Sequence, residues 1–394
     1  MSAHHSTDEH HTVIGAAFAE LYRIANVIPP ASVANIVDIV AGLVGANAAR
    51  LYVVDYGLRS LRQLGPDGPI GEALTIEGTV QGRVFAGGTT IASGEGPTVV
   101  HVPLTDGAER IGLLELDFDL WEDIPAVLPG VVFVLVAVLL TKSRYSDAWV
   151  RCRRAEAMSA AAEVQWDLLP PLAGTSDNVS VAGILEPAYS IGGDSFDYAL
   201  NHGRLDFAIV DAMGHGMSAV LMAAAAINGF RNVRREGGQL TSAYEKVDQV
   251  LIDHFGDSRY VTGQLGSLDT DSGVLRWINA GHPLPLLVRN GSFAGALPCK
   301  PSMPMGLNGV VVEVAEVTLQ KGDRVLFYTD GITESRSTSE AFGEARLADY
   351  LVRATLDRVP VSETVRRLSA NVLSFVEHGL KDDATMFLVE YGVD

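Results

Sequence analysis

The segment LDFAIVDAMGHGM spans residues 205–217 and changes character at its centre. The apolar run Phe207–Val210 predicts a buried strand, and Asp211 follows at its end. Gly214 and Gly216 then allow a sharp turn before a segment that is predicted to be a helix from Met217 onward. A carboxylate is thereby placed at a strand end, next to a turn that brings the backbone close to a ligand.

The same setting recurs elsewhere in the C-terminal half. Asp194 and Asp197 lie in IGGDSFDY, Asp330 follows the apolar run VLFYT, and the pair Asp382–Asp383 precedes ATMFLV. Any single Asp–Gly pair can simply form a turn. Several carboxylates at strand ends can instead build the oxygen-rich site that Mg²⁺ and Mn²⁺ prefer. Four such places together favour the metal site.

The surrounding sequence predicts an α+β layered sandwich, because many short β-like runs are grouped around few helical segments. The predicted strands are Val179–Glu186, Leu205–Val210, Val261–Asp269, Val274–Asn279, Leu286–Arg289, Arg324–Tyr328 and Thr385–Glu390. The predicted helices are Met217–Phe230, Gln239–Phe255 and Ser362–Phe375.

Five ordered motifs give this region, about residues 155–394, a resemblance to metal-dependent serine/threonine protein phosphatases of the bacterial SpoIIE type. The motifs are GGDSFD, DAMGHG, NAGHP (279–283), YTDGITE (328–334) and DDAT (382–385), preceded by VQWDLLP (164–170). The resemblance implies an αββα fold, in which two antiparallel sheets are flanked by helices. It also implies two bound Mn²⁺ or Mg²⁺ ions.

The resemblance also assigns roles to residues. Asp211 would bridge the two metals, with the Ala212 carbonyl as a further ligand. Asp194 would serve the metal shell directly or through water, and Asp330 and Asp382 would hold one metal from the opposite side. The remaining candidates would support these ligands from behind: Asp197, Gly331 and Asp383. A water held by the cations would then attack phosphorus without a covalent phosphoenzyme.

Three features depart from the wider phosphatase pattern. Met213 stands where eukaryotic relatives have a histidine, so His215 does not inherit an acid role and is interpreted as a residue that positions its loop. His282 in NAGHP is interpreted in the same way. The segment EPAYSI before Asp194 also lacks a phosphate-binding arginine. Metal and partner surface are therefore expected to bind the substrate.

The N-terminal part resembles a GAF sensor domain by its pattern, with a PAS-like or other α+β sensor as the alternative. Its predicted strands are 50–55, 98–103 and 112–118, and its predicted helices are 13–28, 31–45 and a short one within 77–88. The sequence predicts a tail at 1–12, a GAF-like domain at 13–138, a linker helix at 139–171 and the phosphatase domain at 172–394.

The linker is predicted to run as one Ala-, Arg- and Glu-rich helix up to the Pro170–Pro171 pair. It can pair in a homodimer through a stripe at heptad spacing, or serve a monomer as a connector. The apolar segment Ile124–Leu140 before it contains two prolines and a glycine and is short for a membrane span. It is interpreted as the buried start of this long helix.

Composition excludes some functions and leaves others open. A net charge of −19 disfavours nonspecific binding to nucleic acids or anionic membranes. Cys152 and Cys299 lie far apart and outside metal-ligand spacing, which indicates idle thiols and a cytoplasmic protein. The histidines of the N-terminal tail, His4, His5, His10 and His11, are expected to be solvated.

The family implies a phosphorylated STAS-domain anti-sigma-factor antagonist as the substrate, with regulation by a ligand or partner at the sensor domain. Two other functions remain in view. A phosphatase-like switch or scaffold would lack metal aspartates, whereas Asp194, Asp211, Asp330 and Asp382 are all present. A diguanylate cyclase is suggested only by GGDSF, in which Ser195 replaces the glutamate of that signature.

Overall fold

The computed structural model describes residues 19, 20, 23, 24, 26–94, 97–119, 127–190, 192–309, 311–337, 340–376 and 379–392. The chain divides into two compact units, one ending at Glu156 and one starting at Ala157, with Gly107–Glu109 grouped with the second. The predicted linker 139–171 is therefore not a separate region, because the division falls inside it. The predicted tail lies outside the described residues, as does most of the predicted helix 13–28.

The N-terminal unit is built on one six-stranded sheet with the order β3-β2-β1-β6-β5-β4. Its strands are β1 (Ala48–Val54), β2 (Ser60–Gly65), β3 (Gly68–Thr75), β4 (Ile91–Ser93), β5 (Thr98–Asp106) and β6 (Glu109–Phe118). Its helices are a 3₁₀ turn (Pro30–Asn35), α1 (Ile36–Val44), α2 (Val80–Gly87), α3 (Leu128–Lys142) and α4 (Asp147–Arg153). The three predicted strands and the short predicted helix are present, whereas the predicted helix 31–45 begins as the 3₁₀ turn.

Helix α3 contains most of the apolar segment Ile124–Leu140, of which residues 124–126 lie outside the described residues. Residues Leu128–Tyr145 are long and apolar enough to cross a bilayer, with a mean hydropathy of 1.5. One face of α3 nevertheless packs into the core of the N-terminal unit through Val131, Leu135 and Leu139, while Phe133 on another face is 75% exposed. The prediction of a buried helix holds for one face of α3.

The prediction of one continuous linker helix is wrong. After α3, Ser146 is extended and its side chain accepts a hydrogen bond from the Ala148 amide, so a new helix, α4, starts there. Helix α4 ends at Arg153, and α5 (Ala160–Leu168) starts after Ser159 in the same manner. Serine side chains that satisfy free N–H groups favour a new helix start over continuation. A heptad stripe along 139–169 is therefore interrupted twice.

The C-terminal unit contains two antiparallel sheets, with the orders β15-β12-β11-β10-β9 and β14-β13-β16-β17-β8-β7. The strands are β7 (Ala173–Ser176), β8 (Val179–Glu186), β9 (Asp194–Asn201), β10 (Arg204–Ala212), β11 (Val261–Asp269), β12 (Val274–Ala280), β13 (Leu286–Arg289), β14 (Ser292–Ala296), β15 (Ala315–Thr318), β16 (Arg324–Tyr328) and β17 (Ala384–Tyr391). Besides α5, the helices are α6 (Met217–Arg235), α7 (Leu240–Phe255), α8 (Asp330–Glu334), α9 (Gly343–Leu356) and α10 (Val361–Phe375).

The two sheets pack face to face through aromatic rings. The ring of Phe207 on β10 lies 4.6 Å from that of Phe327 and 5.3 Å from that of Phe387, both on the six-stranded sheet. Helices α6 and α7 cover the outer face of the five-stranded sheet, and α9 and α10 cover the outer face of the other. The predicted αββα sandwich of this unit is confirmed.

Alternation along β10 places the first candidate ligand. Ala208, Val210 and Ala212 pack in the core beneath α6, whereas Phe207 faces the second sheet. Because side chains alternate between faces with a period of two, Asp211 lies on the Phe207 side, toward the second sheet. The Asp211 carboxylate therefore lies at the edge of the space between the two sheets.

Candidate metal centre

Asp194 and Asp211 lie directly opposite each other on the paired strands β9 and β10. Directly opposed residues in an antiparallel pair share a face of the sheet. Asp194 is 2% exposed, and Asp211 is partly buried. The five-stranded sheet therefore contributes two neighbouring carboxylates at one edge.

The six-stranded sheet of the C-terminal unit contacts Asp194 through Thr329. This residue is fully buried and directly follows β16. Its hydroxyl donates a hydrogen bond to Asp194 Oδ2 over 2.7 Å and accepts one from the Thr385 amide over 2.9 Å. Thr329 thus orients Asp194 from the opposite sheet. The sequence placed Thr329 inside YTDGITE, but the motif did not indicate a role for this residue.

Asp383 supports the loop that leads into β9. Its carboxylate accepts hydrogen bonds from the amides of Gly192 (2.9 and 2.8 Å), Gly193 and Asp194 (3.2 Å). A Cβ atom on Gly192 would lie 2.8 Å from Asp383 Oδ2, and one on Gly331 would lie 1.8 Å from the Asp383 carbonyl oxygen. These glycines are required because the two chain segments approach too closely for a side chain.

Asp330 and Asp382 complete what we call the carboxylate cluster, consisting of Asp194, Asp211, Asp330, Asp382 and Asp383. Asp330 is the first residue of α8, directly after Thr329. Asp382 is exposed and accepts a hydrogen bond from the Asp383 amide over 3.0 Å. The cluster therefore draws on both sheets and on the turns that follow β10 and β16 and precede β17.

Burial and neighbouring negative charges raise the pKa values of Asp194, Asp211, Asp330 and Asp383. The pKa of Asp194 lies well above its usual value because of burial and then the charges of Asp211 and Asp383. Burial raises the pKa of Asp211 to about 7, with further contributions from Asp330, Asp382 and Asp383. Raised carboxyl pKa values of this kind arise where buried carboxylates lie close together and too few positive charges lie nearby.

An oxygen-only donor set of this kind suits Mg²⁺ or Mn²⁺. Within the described residues, however, no group of three or more Asp, Glu, His or Cys side chains already stands in a metal-holding arrangement. The chemistry of the donors therefore fits the predicted ions, while their side chains form an open set. Ala212, whose carbonyl was predicted to be a further ligand, is buried, and its amide donates to the Gly193 carbonyl over 3.1 Å.

Asp197 lies outside the cluster. It is buried and forms ion pairs of 2.6 Å with both Arg231 and Arg234 of α6. Arg231 also donates to the Leu168 carbonyl at the end of α5 over 2.7 Å. Asp197 therefore joins β9 to α6 and α5, which is a supporting role at a distance from the cluster.

The two histidines that the motifs highlight have different settings. His215 is exposed beside the cluster. His282 is buried, and Asn279 brackets its backbone by accepting from the His282 amide (2.7 Å) and donating to its carbonyl (2.8 Å). Burial lowers the pKa of His282 to about 3, so its ring is neutral at physiological pH. Its contacts are those of a residue that shapes its loop.

Two hollows adjoin the cluster. The larger, of about 530 Å³, is bordered by residues 330–331, 334–337, Val376 and 379–382. The smaller, of about 320 Å³, is bordered by Ser159, Pro187, Ser190, Gly192 and His215 together with Asp382 and Asp383. Candidate metal ligands therefore lie at the border of open, solvent-filled space.

A sequence profile of the family described as Stage II sporulation protein E (SpoIIE) matches residues 201–392. The chain is 23% identical to Protein IcfG of Synechocystis sp. over an alignment of 262 residues that covers 58% of this chain and 40% of IcfG. It is 21% identical to phosphoserine phosphatase RsbU of Bacillus subtilis over an alignment of 237 residues that covers 58% of this chain and 68% of RsbU. The chain thus spans less than half the length of IcfG.

Among solved structures, the chain is similar to the RsbU and RsbW domains of Rv1364c from Mycobacterium tuberculosis. The two are 27% identical with a TM-score of 0.48, over 56% of this chain and 62% of that one.

Proposed function

We propose that this chain, in which residues 201–392 form a SpoIIE-family domain, is an Mg²⁺- or Mn²⁺-dependent phosphatase of phosphoserine or phosphothreonine in proteins. One observation carries the proposal: carboxylates from two packed sheets converge at one edge, where burial and the neighbouring charges raise the pKa values of Asp194 and Asp211. The name of RsbU as a phosphoserine phosphatase supports the same substrate chemistry.

In the proposed reaction, Asp211 and Asp194 on the five-stranded sheet would hold divalent cations together with Asp330 and Asp382. Bound cations would supply an acidified water and neutralise the phosphate oxygens. Thr329 keeps the Asp194 carboxylate oriented through its 2.7 Å hydrogen bond. Asp383 and Gly331 keep the turns of the two sheets together, and Ala212 adds its carbonyl as a further ligand.

Cysteine chemistry finds no support in the surroundings of the thiols. Cys152 is fully buried, and burial raises the pKa of its thiol to about 12. Cys299 is free and partly buried, and burial raises its pKa as well. A thiol with a raised pKa is a poor nucleophile at neutral pH. The nucleophile of the proposed reaction is therefore water.

The proposed substrate is a phosphorylated STAS-domain antagonist of an anti-sigma factor, in a cytoplasmic partner-switching pathway. It rests on the SpoIIE-type resemblance. The N-terminal unit is proposed to be a GAF-like sensor, which its six-stranded sheet with helices before, within and after it supports. A ligand or partner of this unit would regulate turnover, and a homodimer would provide one route for that regulation.

The test measures phosphate release from p-nitrophenyl phosphate and from phosphorylated STAS proteins of the same organism. We expect turnover with Mn²⁺ that is abolished by EDTA and restored by excess Mn²⁺. The open arrangement of the carboxylates favours one second candidate, a phosphatase-like switch protein without turnover. Binding of the STAS protein with no phosphate release at any Mn²⁺ or Mg²⁺ concentration would support that candidate instead.

A further inference from the structure

The two hollows beside the carboxylate cluster share three residues, Leu380, Lys381 and Asp382. Lys381 therefore lies where the hollows meet, adjacent in sequence to a candidate metal ligand. The larger hollow, which we call the 330–337 cleft, is also bordered by Arg336. Its volume of about 530 Å³ is within the usual range for a site that takes a small ligand or a few side chains.

Lys381 and Arg336 are exposed cations. Among the described residues neither has an ion pair with a carboxylate, although Asp382 directly follows Lys381 and Glu334 lies two positions before Arg336. Other arginines of this unit are held by buried carboxylates, as Arg231 is by Asp197 and Arg289 is by Asp323. The two cations of the cleft thus have hydrogen-bonding capacity left for a molecule that enters it.

We propose that the 330–337 cleft seats the phosphorylated segment of a protein substrate. In this arrangement Lys381 contacts a phosphate oxygen, and Arg336 contacts an acidic side chain that flanks the phosphorylated residue. The inference rests on the proposed phosphatase function and adds the charge of the preferred substrate segment to it.

Electrostatics gives the physical reason. A phosphoryl group carries nearly two negative charges and would approach a cluster of five carboxylates in a chain of net charge −19. The positive charges of Lys381 and Arg336 at the border of the cleft offset that repulsion. The segment before Asp194 contains no arginine. A lysine acts as a point charge on phosphate, whereas the guanidinium fork of arginine matches a carboxylate in two hydrogen bonds.

The experiment uses the full chain with Mn²⁺ and two phosphoserine peptides of equal length. One has glutamate at the positions that flank the phosphoserine, and the other has glutamine there. We expect Lys381→Ala to raise KM for both peptides about tenfold, the effect of losing one charge-assisted hydrogen bond. Arg336→Ala should remove most of the wild-type preference for the glutamate peptide. Lys381→Arg and Arg336→Lys should restore part of each effect.

The matched controls are Lys246→Ala and Arg235→Ala, which remove the same charges from exposed positions on α7 and α6 outside both hollows. Their KM values should equal those of the wild type. If the wild type hydrolyses p-nitrophenyl phosphate and both peptides, but Lys381→Ala and Arg336→Ala match these controls, the cleft assignment is overturned alone. If the wild type hydrolyses none of the three with Mn²⁺, the proposed function itself has failed.

Discussion

At the scale of single residues, Asp211 has the strongest combination of strand position and charged surroundings. It faces the second sheet, lies opposite Asp194, and its pKa is raised to about 7 by burial and then by three neighbouring carboxylates. The same repulsion that favours a bound cation must destabilise the protein when the cation is absent. Activity and metal-free stability should therefore respond to this residue in opposite directions.

We predict that Asp211→Asn lowers kcat/KM with Mn²⁺ by at least about 100-fold, since the variant loses a ligand of the proposed metal site. Its free energy of unfolding in EDTA should equal or exceed that of the wild type, because one repelling charge is gone. Phosphate-release kinetics and urea unfolding measure the two quantities. Asp253→Asn on the exposed side of α7 serves as the control, and unchanged turnover in folded Asp211→Asn would refute the assigned site.

His282 makes a prediction about pH. Its pKa is lowered to about 3 in the folded protein by burial, against 6.5 in the unfolded chain. Protons therefore bind the unfolded state preferentially between these values, and the stability present above pH 6.5 is lost as the pH falls toward 3. The slope from this one group is at most about 1.4 kcal/mol per pH unit.

The comparison is between wild type and His282→Gln, by urea unfolding at several pH values with His254→Gln as the exposed control. The difference between the two free energies of unfolding should change with pH between 6.5 and 3. A constant difference over that range would mean that His282 titrates normally.

At the scale of elements, Arg231 connects three of them: it pairs with Asp197 of β9, and it donates to the carbonyl of Leu168 at the end of α5. We predict that Arg231→Ala lowers the free energy of unfolding by about 2 kcal/mol, because the buried Asp197 carboxylate keeps only Arg234 as its partner. Arg353→Ala, which breaks an exposed pair with Asp349, should cost less than about 1 kcal/mol. Equal losses in the two variants would contradict this role for Arg231.

The same elements show where sequence could predict the fold. Strands β8, β13 and β16 have the predicted bounds because apolar residues predominate in each. Strand β9 was missed, although it contains Asp194 and Asp197, since its acidic residues hide the pattern of a strand. The prediction of one continuous linker helix was wrong because Ser146 and Ser159 cap the starts of two separate helices within it. Helix propensity alone does not indicate these starts.

The candidate site was predictable where its residues act within a motif, as with the aspartates at strand ends. Contacts between distant segments were not. The hydroxyl of Thr329 donates a hydrogen bond to Asp194, which lies 135 positions away in sequence. No local sequence pattern predicts such a partner. The ion pairs of Asp197 with α6 were likewise unforeseen, because they depend on how the helix packs on the sheet.

At the scale of the whole molecule, the division at Glu156 and Ala157 sets the place for a truncation. A chain that starts at Ala157 retains α5, whose Trp166 indole donates to the Ala188 carbonyl over 2.7 Å, in the loop before Asp194. We predict that this truncated chain hydrolyses p-nitrophenyl phosphate with Mn²⁺, and that its basal rate or its response to an added partner differs from that of the full chain.

The measurement compares kcat and KM of both chains for p-nitrophenyl phosphate, alone and with the STAS protein added as a partner. Identical behaviour under every condition would remove the regulatory role of the N-terminal unit. Size-exclusion chromatography with light scattering on the same two samples tests the homodimer.

The hydrogen bonds from Gly192, Gly193 and Asp194 to Asp383 also have a meaning during protein synthesis. About 190 residues separate donor and acceptor, and β17 fits between β16 and β8 in the finished sheet. While a ribosome is still translating the segment before Asp383, the emerging polypeptide lacks the carboxylate that accepts these hydrogen bonds from the Asp194 loop. On the proposed function, a nascent chain would therefore stay inactive until β17 has left the ribosomal exit tunnel.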